Sequence, residues 1–424
     1  MTHPAASRHP EPSRLEIDLG RLDANFHQLR RLLQDPSASK GSQANLNFRP
    51  DLCAVVKADA YGLGARPIAR RLARSGVDML AVYSPNQARE LVEAGVDRPL
   101  LIMMPVHQLH RSDILYRTLL DGSLHLMVHD LEQLRAVATI GRRFGCAVPV
   151  HLFLDTGLCR EGMDENQLLQ AVTLLPTLRT LRLAGVCSHF ADARADTNFC
   201  DEQFERFQHG LTRCGIKLDP NASPHDPLLH IANTYACLSS RKFHLSMVRV
   251  GLGLFGYGEH ALGNRRIVPD RRLLQPIVRW VSHLVHVTHH PAGQTVGYGR
   301  THTLTRDSIL GVVPVGYGDG YPQALSNKAR VQLLDNSRAP LGEAPVIGKV
   351  NMDQLVIDLT DAPSTATIHE VELLSAEYDS PCNLERLAAQ AGMNCYEMLT
   401  RLCTRLPRRY IQSTAGQPPD EPPF

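Results

Sequence analysis

Lysine is scarce in this chain, with six residues against 39 arginines in 424. Ordinary surface charge is carried on Arg, so a lysine that closes an apolar run calls for an explanation of its own. There is no block of basic residues, and the formal net charge is only +2. That removes the electrostatic footprint of a nucleic-acid partner. No apolar stretch reaches the length of a membrane span. The opening MTHPAASRHPEPSRLE is polar and proline-bearing, without the apolar core of a secretory signal. A cytoplasmic protein with no membrane partner is expected. The ten cysteines form no CxxC pair and no regular spacing, which reads as reduced, mostly buried thiols with no metal site.

The length is enough for one barrel-sized domain, typically about 250 residues, and a smaller one. After a polar N-terminal tail (1–13), Leu15, Ile17 and Leu19 alternate as a strand and Leu22, Phe26, Leu29 and Leu32 recur at helical spacing. Residues 34–50 are polar and rich in turn formers, a long loop. From there strand-like and helix-like strings alternate. DMLAVYS, PLLIMMP, SLHLMVH, PVHLFLD, LAGVCSH, LLHIAN and MVRVGLG read as strands, with ARPIARRLARSG, SPNQARELVEAG, DLEQLRAVATIGRRFG, DENQLLQAVTLLP and CDEQFERFQHGLTRCG between them. Counting the strand before Lys57, about eight strands argue for an α/β fold of the (β/α)8 TIM-barrel type over residues 14–275, rather than a doubly wound sheet. Near residue 276 the pattern changes to short strands punctuated by Pro and Gly, with one helix in NLERLAAQAG. This reads as a β-rich C-terminal domain over 276–412, followed by a proline-rich tail (413–424).

Chemistry in a barrel sits at the carboxyl ends of its strands. In CAVVKADAYGLGA, four small or apolar residues lead directly into Lys57. A partly desolvated amine at such a place has the lowered pKa that a nucleophile or base requires; the alternative is a lysine that snorkels to water. Later strand ends carry Arg160 (VHLFLDTGLCR), His189 (GVCSHFAD), His230, Asn233 and Thr234 (HIANT), and Arg249, Gly251 and Leu252 (VRVGLGLFGYG). The C-terminal region holds Tyr298 in VGYGR, Tyr317 and Tyr321 in VGYGDGYP, and Met352 and Asp353 in NMDQ. Taken alone, Arg249 could be a structural ion-pair partner and Tyr298 a buried strand aromatic.

Together and in this order, from AVVKADAYGLGA to RLPRRY, these strings resemble the alanine racemase family over roughly residues 14–412. The resemblance implies pyridoxal 5'-phosphate (PLP) as cofactor, in Schiff-base linkage to Lys57. Tyr61, Thr234, Gly251 and the Leu252 amide would hold its phosphate. Arg249 would face the pyridine nitrogen and keep it unprotonated, which favours racemisation over other fates of the substrate. Racemisation needs a base on each face of the substrate Cα. The resemblance assigns Lys57 to one face and Tyr298, from the partner subunit of a homodimer, to the other. His189 and Asn233 would also bind the cofactor, with His230 as a supporting group. Arg160 and the Met352 amide would meet the small amino-acid substrate, with Tyr317, Tyr321 and Asp353 as supporting groups. A D-alanine supply for peptidoglycan is the implied role.

The chain departs from the family pattern at several places. Phe153 stands where many members carry a lysine that positions the matched arginine, so Arg160 must be held otherwise, by Glu161 or by a bound anion. Thr404 stands where a tyrosine often lines the entrance, Gln323 and Lys349 replace arginines, and the segment FADARADTNF is short. These differences open specificity to serine or larger amino acids. A PLP-dependent decarboxylase would carry an acidic group in place of Arg249 and a glycine-triplet phosphate loop. A non-catalytic PLP carrier would lack the second domain and the tyrosine base.

Overall fold

The structure, a computed structural model, describes residues 11–34, 49–218, 226–270 and 272–413. The expectations for the 34–50 loop and for the two tails fall almost entirely outside these residues. Two compact units are present: one runs from Leu22 to Leu274, and the other joins the N-terminal segment up to Arg21 to the chain from Gln275 onward.

The first unit is built on eight strands: β2 (Asp51–Val55), β3 (Met79–Val82), β4 (Leu100–Ile102), β5 (Leu124–Val128), β6 (Val148–Phe153), β7 (Leu181–Cys187), β8 (Leu228–His230) and β9 (Met247–Val250). They pair in parallel in chain order, and β9 pairs with β2. Backbone bonds from Ser246 N to Leu229 O and from Arg249 N to Ala232 O, both 3.0 Å, join β9 to the β8 segment and close the ring. The strands are buried almost along their whole length, as parallel strands covered by helices must be. The five helices read from the sequence are present, each covering one interval between strands. Leu115–Leu120 and Thr234–Ser239 add two short ones that periodicity does not reveal, because six residues make less than two turns.

The second unit is built on a nine-stranded sheet, with a separate two-stranded one that pairs Thr295–Val296 with His302–Thr303. The segment expected to begin the barrel domain belongs here instead: β1 (Ser13–Asp18) pairs antiparallel with β10 (Val278–Ser282) and parallel with the strand Arg408–Ile411. The physical reason is burial of one apolar face. Leu15 and Ile17 are fully buried in this sheet, and Trp280 Nε1 donates to Ser13 Oγ at 2.6 Å. An alternating strand declares a sheet but not which one. The ten cysteines are all free, and five of them are buried. Among the described residues no helix is long and apolar enough to cross a membrane.

Candidate active site

Lys57 follows Val56 at the carboxyl end of β2, and the next four residues do something L-amino acids avoid. Ala58, Asp59, Ala60 and Tyr61 all lie in the left-handed region, with φ between 52° and 57°. Each such residue costs roughly 1–2 kcal/mol, so this turn is held by its surroundings. Ala60 N donates to Val56 O at 2.9 Å, Gly64 N to Asp59 O at 2.9 Å, and Ala65 N to the Asp59 carboxylate at 2.6 Å. The turn buries the Tyr61 ring edge-on to Phe255 at a centroid distance of 5.3 Å. Burial, and then the charges of Arg160 and Arg249, push the Lys57 amine below the ordinary lysine range, with Glu161 opposing. Lys57 is half-buried, and a lowered pKa makes its amine available as a nucleophile.

Arg249, on β9, is 5% exposed. Its guanidinium donates to His230 Nδ1 and the His230 carbonyl from Nη1, and to the Ser188 carbonyl (2.7 Å) and His189 Nδ1 (3.1 Å) from Nη2. Among the described residues no carboxylate pairs with it, so the alternative of a structural ion pair is excluded there. A buried cation held only by neutral acceptors keeps its charge available to a further group. Burial and the Arg249 charge hold His189 down to about 3, so its imidazole is neutral. Gln203, fully buried, fixes the loop that carries His189 by donating to the His189 carbonyl (3.1 Å) and to Thr156 Oγ1 (3.2 Å).

After β9 the chain enters a tight turn over Leu252–Phe255. Thr234 Oγ1 accepts from Gly251 N (3.4 Å) and Gly253 N (3.2 Å), and Asn233 caps the helix Thr234–Ser239 by accepting from Ala236 N. Lys57, Tyr61, His189, His230, Asn233, Thr234, Arg249, Gly251 and Leu252 thus all lie at the carboxyl ends of barrel strands. Arg160 follows β6 and is largely exposed; its Nε lies 3.7 Å from Glu161, one of the two groups expected to hold it, an ion pair too long for a hydrogen bond. Phe153 fills its own neighbourhood: its ring lies 5.3 Å from the His129 ring, and a side chain at Gly162 would meet it at 2.4 Å.

In the second unit, Tyr298 is not a buried strand aromatic. It opens a short turn after Gly297 and is 74% exposed. Tyr317 and Met352 are also exposed, at 44% and 55%, and are tied together because Tyr317 N donates to Asn351 O and Gly318 N to Met352 O. Asp353 pairs with Arg405, which also binds Asp319. Tyr321 differs from these: it is fully buried with its ring against Trp280.

The sequence reading passed over His125 and His151. Both lie within the site's hydrogen-bonded chain, with His151 bonded to His230 at 2.8 Å and to His125 at 2.9 Å. The available signal was a histidine set inside each of two otherwise apolar strand strings.

Comparison with known proteins adds independent findings. A family model described as "Alanine racemase, N-terminal domain" matches residues 17–259, and "Alanine racemase, C-terminal domain" matches 277–410. An alanine racemase of Halothermothrix orenii is 30% identical over 418 residues, covering 96% of this chain and 99% of its own. The crystal structure of an alanine racemase from D-cycloserine-producing Streptomyces lavendulae superposes with a TM-score of 0.79 at 27% identity, over 96% of this chain and 99% of that one. The fold is also shared by an alanine racemase of Bartonella henselae with covalently bound pyridoxal phosphate, at a TM-score of 0.75 and 22% identity over 95% of this chain and all of that one.

Proposed function

Since this chain belongs to the alanine racemase family, we propose that it interconverts L- and D-alanine with PLP, using two bases drawn from two subunits. Its class is amino-acid racemase, an isomerase. The residues present suit PLP. Gly251 leaves the Tyr61 hydroxyl room that a Cβ would occupy, Thr234 orders the adjoining amides, and Lys57 offers an amine of lowered pKa. Backbone donors at glycine-permitted close approach suit a phosphate. When bound, PLP supplies an electron sink that acidifies the Cα hydrogen of an amino acid.

The remaining chemistry belongs to the chain. Arg249 is buried and bonded to neutral acceptors only, with no carboxylate partner among the described residues, and would keep the ring nitrogen of PLP unprotonated. This is the observation that carries the reading, since a decarboxylase-type site would place a carboxylate there. Lys57 removes or delivers a proton on one face of Cα. Tyr298 of the partner subunit does so on the other, which accounts for an exposed tyrosine on a glycine-flanked turn. Arg160, beside Glu161, and the Met352 amide would receive the cofactor phenolate oxygen and the substrate carboxylate. A tyrosine of ordinary pKa near 10 needs assistance as a base, and the chain of His189, Arg249 and His230 is suited to provide it. A cytoplasmic homodimer supplying D-alanine for peptidoglycan is the corresponding cellular role.

A second reading, broader specificity toward serine or larger amino acids, draws on Thr404 at the place of the family's entrance tyrosine. Incubating the PLP-loaded protein with L-alanine, L-serine and L-lysine, followed by chiral chromatography, tests both. D-alanine as the dominant product supports the first reading and D-serine or D-lysine the second. No turnover of any of the three would overturn both.

A further inference from the structure

Four strands of the barrel contribute to one continuous row of hydrogen bonds. Arg249 Nη1, from β9, meets His230 Nδ1 at 2.5 Å; His230 Nε2 meets His151 Nδ1, on β6, at 2.8 Å; His151 Nε2 meets His125 Nδ1, on β5, at 2.9 Å. His230 and His151 are fully buried and His125 is 8% exposed. The intervening strand β7 yields space for the row. An added Cβ at Gly185 would lie 2.3 Å from His151 Nδ1, so only glycine at this position lets the ring pass.

The direction of the row is dictated by one end. A guanidinium only donates, so His230 Nδ1 must accept, which leaves the hydrogen of a neutral imidazole on Nε2. His230 Nε2 then donates to His151 Nδ1, and His151 Nε2 donates to His125 Nδ1. Each ring presents a lone pair toward Arg249 and an N–H away from it. Hydrogen-bonded dipoles aligned in this way polarise one another.

We propose that His151 and His125 are positioning residues that hold Arg249 charged and oriented through His230, serving as a neutral substitute for a carboxylate counter-ion. A carboxylate would stabilise the guanidinium by cancelling its field; the imidazole row stabilises it and leaves the field available to the ring nitrogen of PLP. This rests on the reading of the site as a PLP site. Burial is the largest effect on all three rings. It holds His125 down to about 4 and His151 and His230 well below the ordinary histidine range, which keeps the row neutral, as its direction demands.

The test begins with cofactor-free protein carrying ¹⁵N-labelled histidine. At pH 7 the NMR signals of His125, His151 and His230 should all report the neutral Nε2–H tautomer. An Nδ1–H tautomer or an imidazolium at any of the three refutes the row. His125→Leu, which cannot accept from His151, should shift the His151 and His230 nitrogen signals, move the absorption maximum of bound PLP and raise the PLP Kd about tenfold, equivalent to about 1.4 kcal/mol. His125→Gln, whose side-chain carbonyl can accept, should restore these values. A His125→Leu protein with wild-type affinity and spectrum overturns the proposal. Wild-type protein that takes up no PLP would refute the reading of the site and with it the service of the row to the cofactor, whereas a wrong tautomer without cofactor refutes the row alone.

Discussion

A methyl group on Gly251 would lie 2.1 Å from the Tyr61 hydroxyl oxygen. The phosphate cradle assigned to PLP therefore depends on two loops touching at a point where no side chain fits. The approach is backbone against a ring that is itself buried against Phe255, so little can give way. Gly251→Ala should force Tyr61 out and destabilise the cofactor-free protein by about 1–3 kcal/mol, the usual cost of overpacking. The PLP Kd should rise by at least about tenfold. Thermal melts and a PLP titration measure both; an unchanged Kd would remove Tyr61 and Gly251 from the cofactor site.

Lys57 is the only lysine at the carboxyl end of a barrel strand among the described residues, and its amine is kept below the ordinary lysine range by burial and by Arg160 and Arg249. Lys57→Ala should abolish racemisation and the visible absorption of the bound cofactor. Borohydride treatment of wild-type protein followed by peptide mass spectrometry should find the cofactor on Lys57. Modification at any other lysine would refute the assignment.

Tyr298 is assigned to the opposite face, and it projects from a turn with 74% exposure rather than from the interior of its own unit. Tyr298→Phe keeps the ring and removes its only ionisable group. Solvent deuterium exchange into D-alanine and L-alanine should then fall unequally, with one enantiomer retaining exchange through Lys57. Equal losses in the two directions would count against a two-base scheme. Size-exclusion chromatography with light scattering should meanwhile give a dimer.

The barrel was largely legible in the sequence because parallel strands announce themselves as short apolar runs, and five of the eight runs lead into candidate site residues. The strand Ser13–Asp18 was legible as a strand but not as a member of the second sheet, since its partners lie some 260 residues away at Trp280 and nearly 400 away at Arg408. The left-handed turn after Lys57 was not legible at all. Ala58, Asp59, Ala60 and Tyr61 include no glycine, and of their types only Asp is enriched at φ > 0. The histidine row was hidden for a related reason: its register depends on strands meeting side by side, and on Gly185 being small at one crossing.

The buried histidines also set how the protein answers acid. His125 titrates at about 4 and His189 at about 3 in the folded protein, both below their ordinary value of 6.5, chiefly because burial disfavours the charged ring. The unfolded chain therefore binds protons below pH 6.5 that the native state refuses, and stability must fall as pH falls through that window. Above pH 6.5 both states are neutral at these rings and the effect is absent. Below about pH 4 the native His125 takes up its proton as well, and its contribution to the slope ends. Since one pH unit of this imbalance is worth about 1.4 kcal/mol, His125 alone should cost on the order of 2 kcal/mol at pH 5 relative to pH 7. His151 and His230 act with the same sign. Urea unfolding of cofactor-free wild type and His125→Gln at pH 7, 6 and 5 measures the effect. The variant should lose less stability than wild type between pH 7 and 5, by about that amount. Two parallel profiles would mean that His125 takes up its proton in the folded state as readily as in the unfolded one.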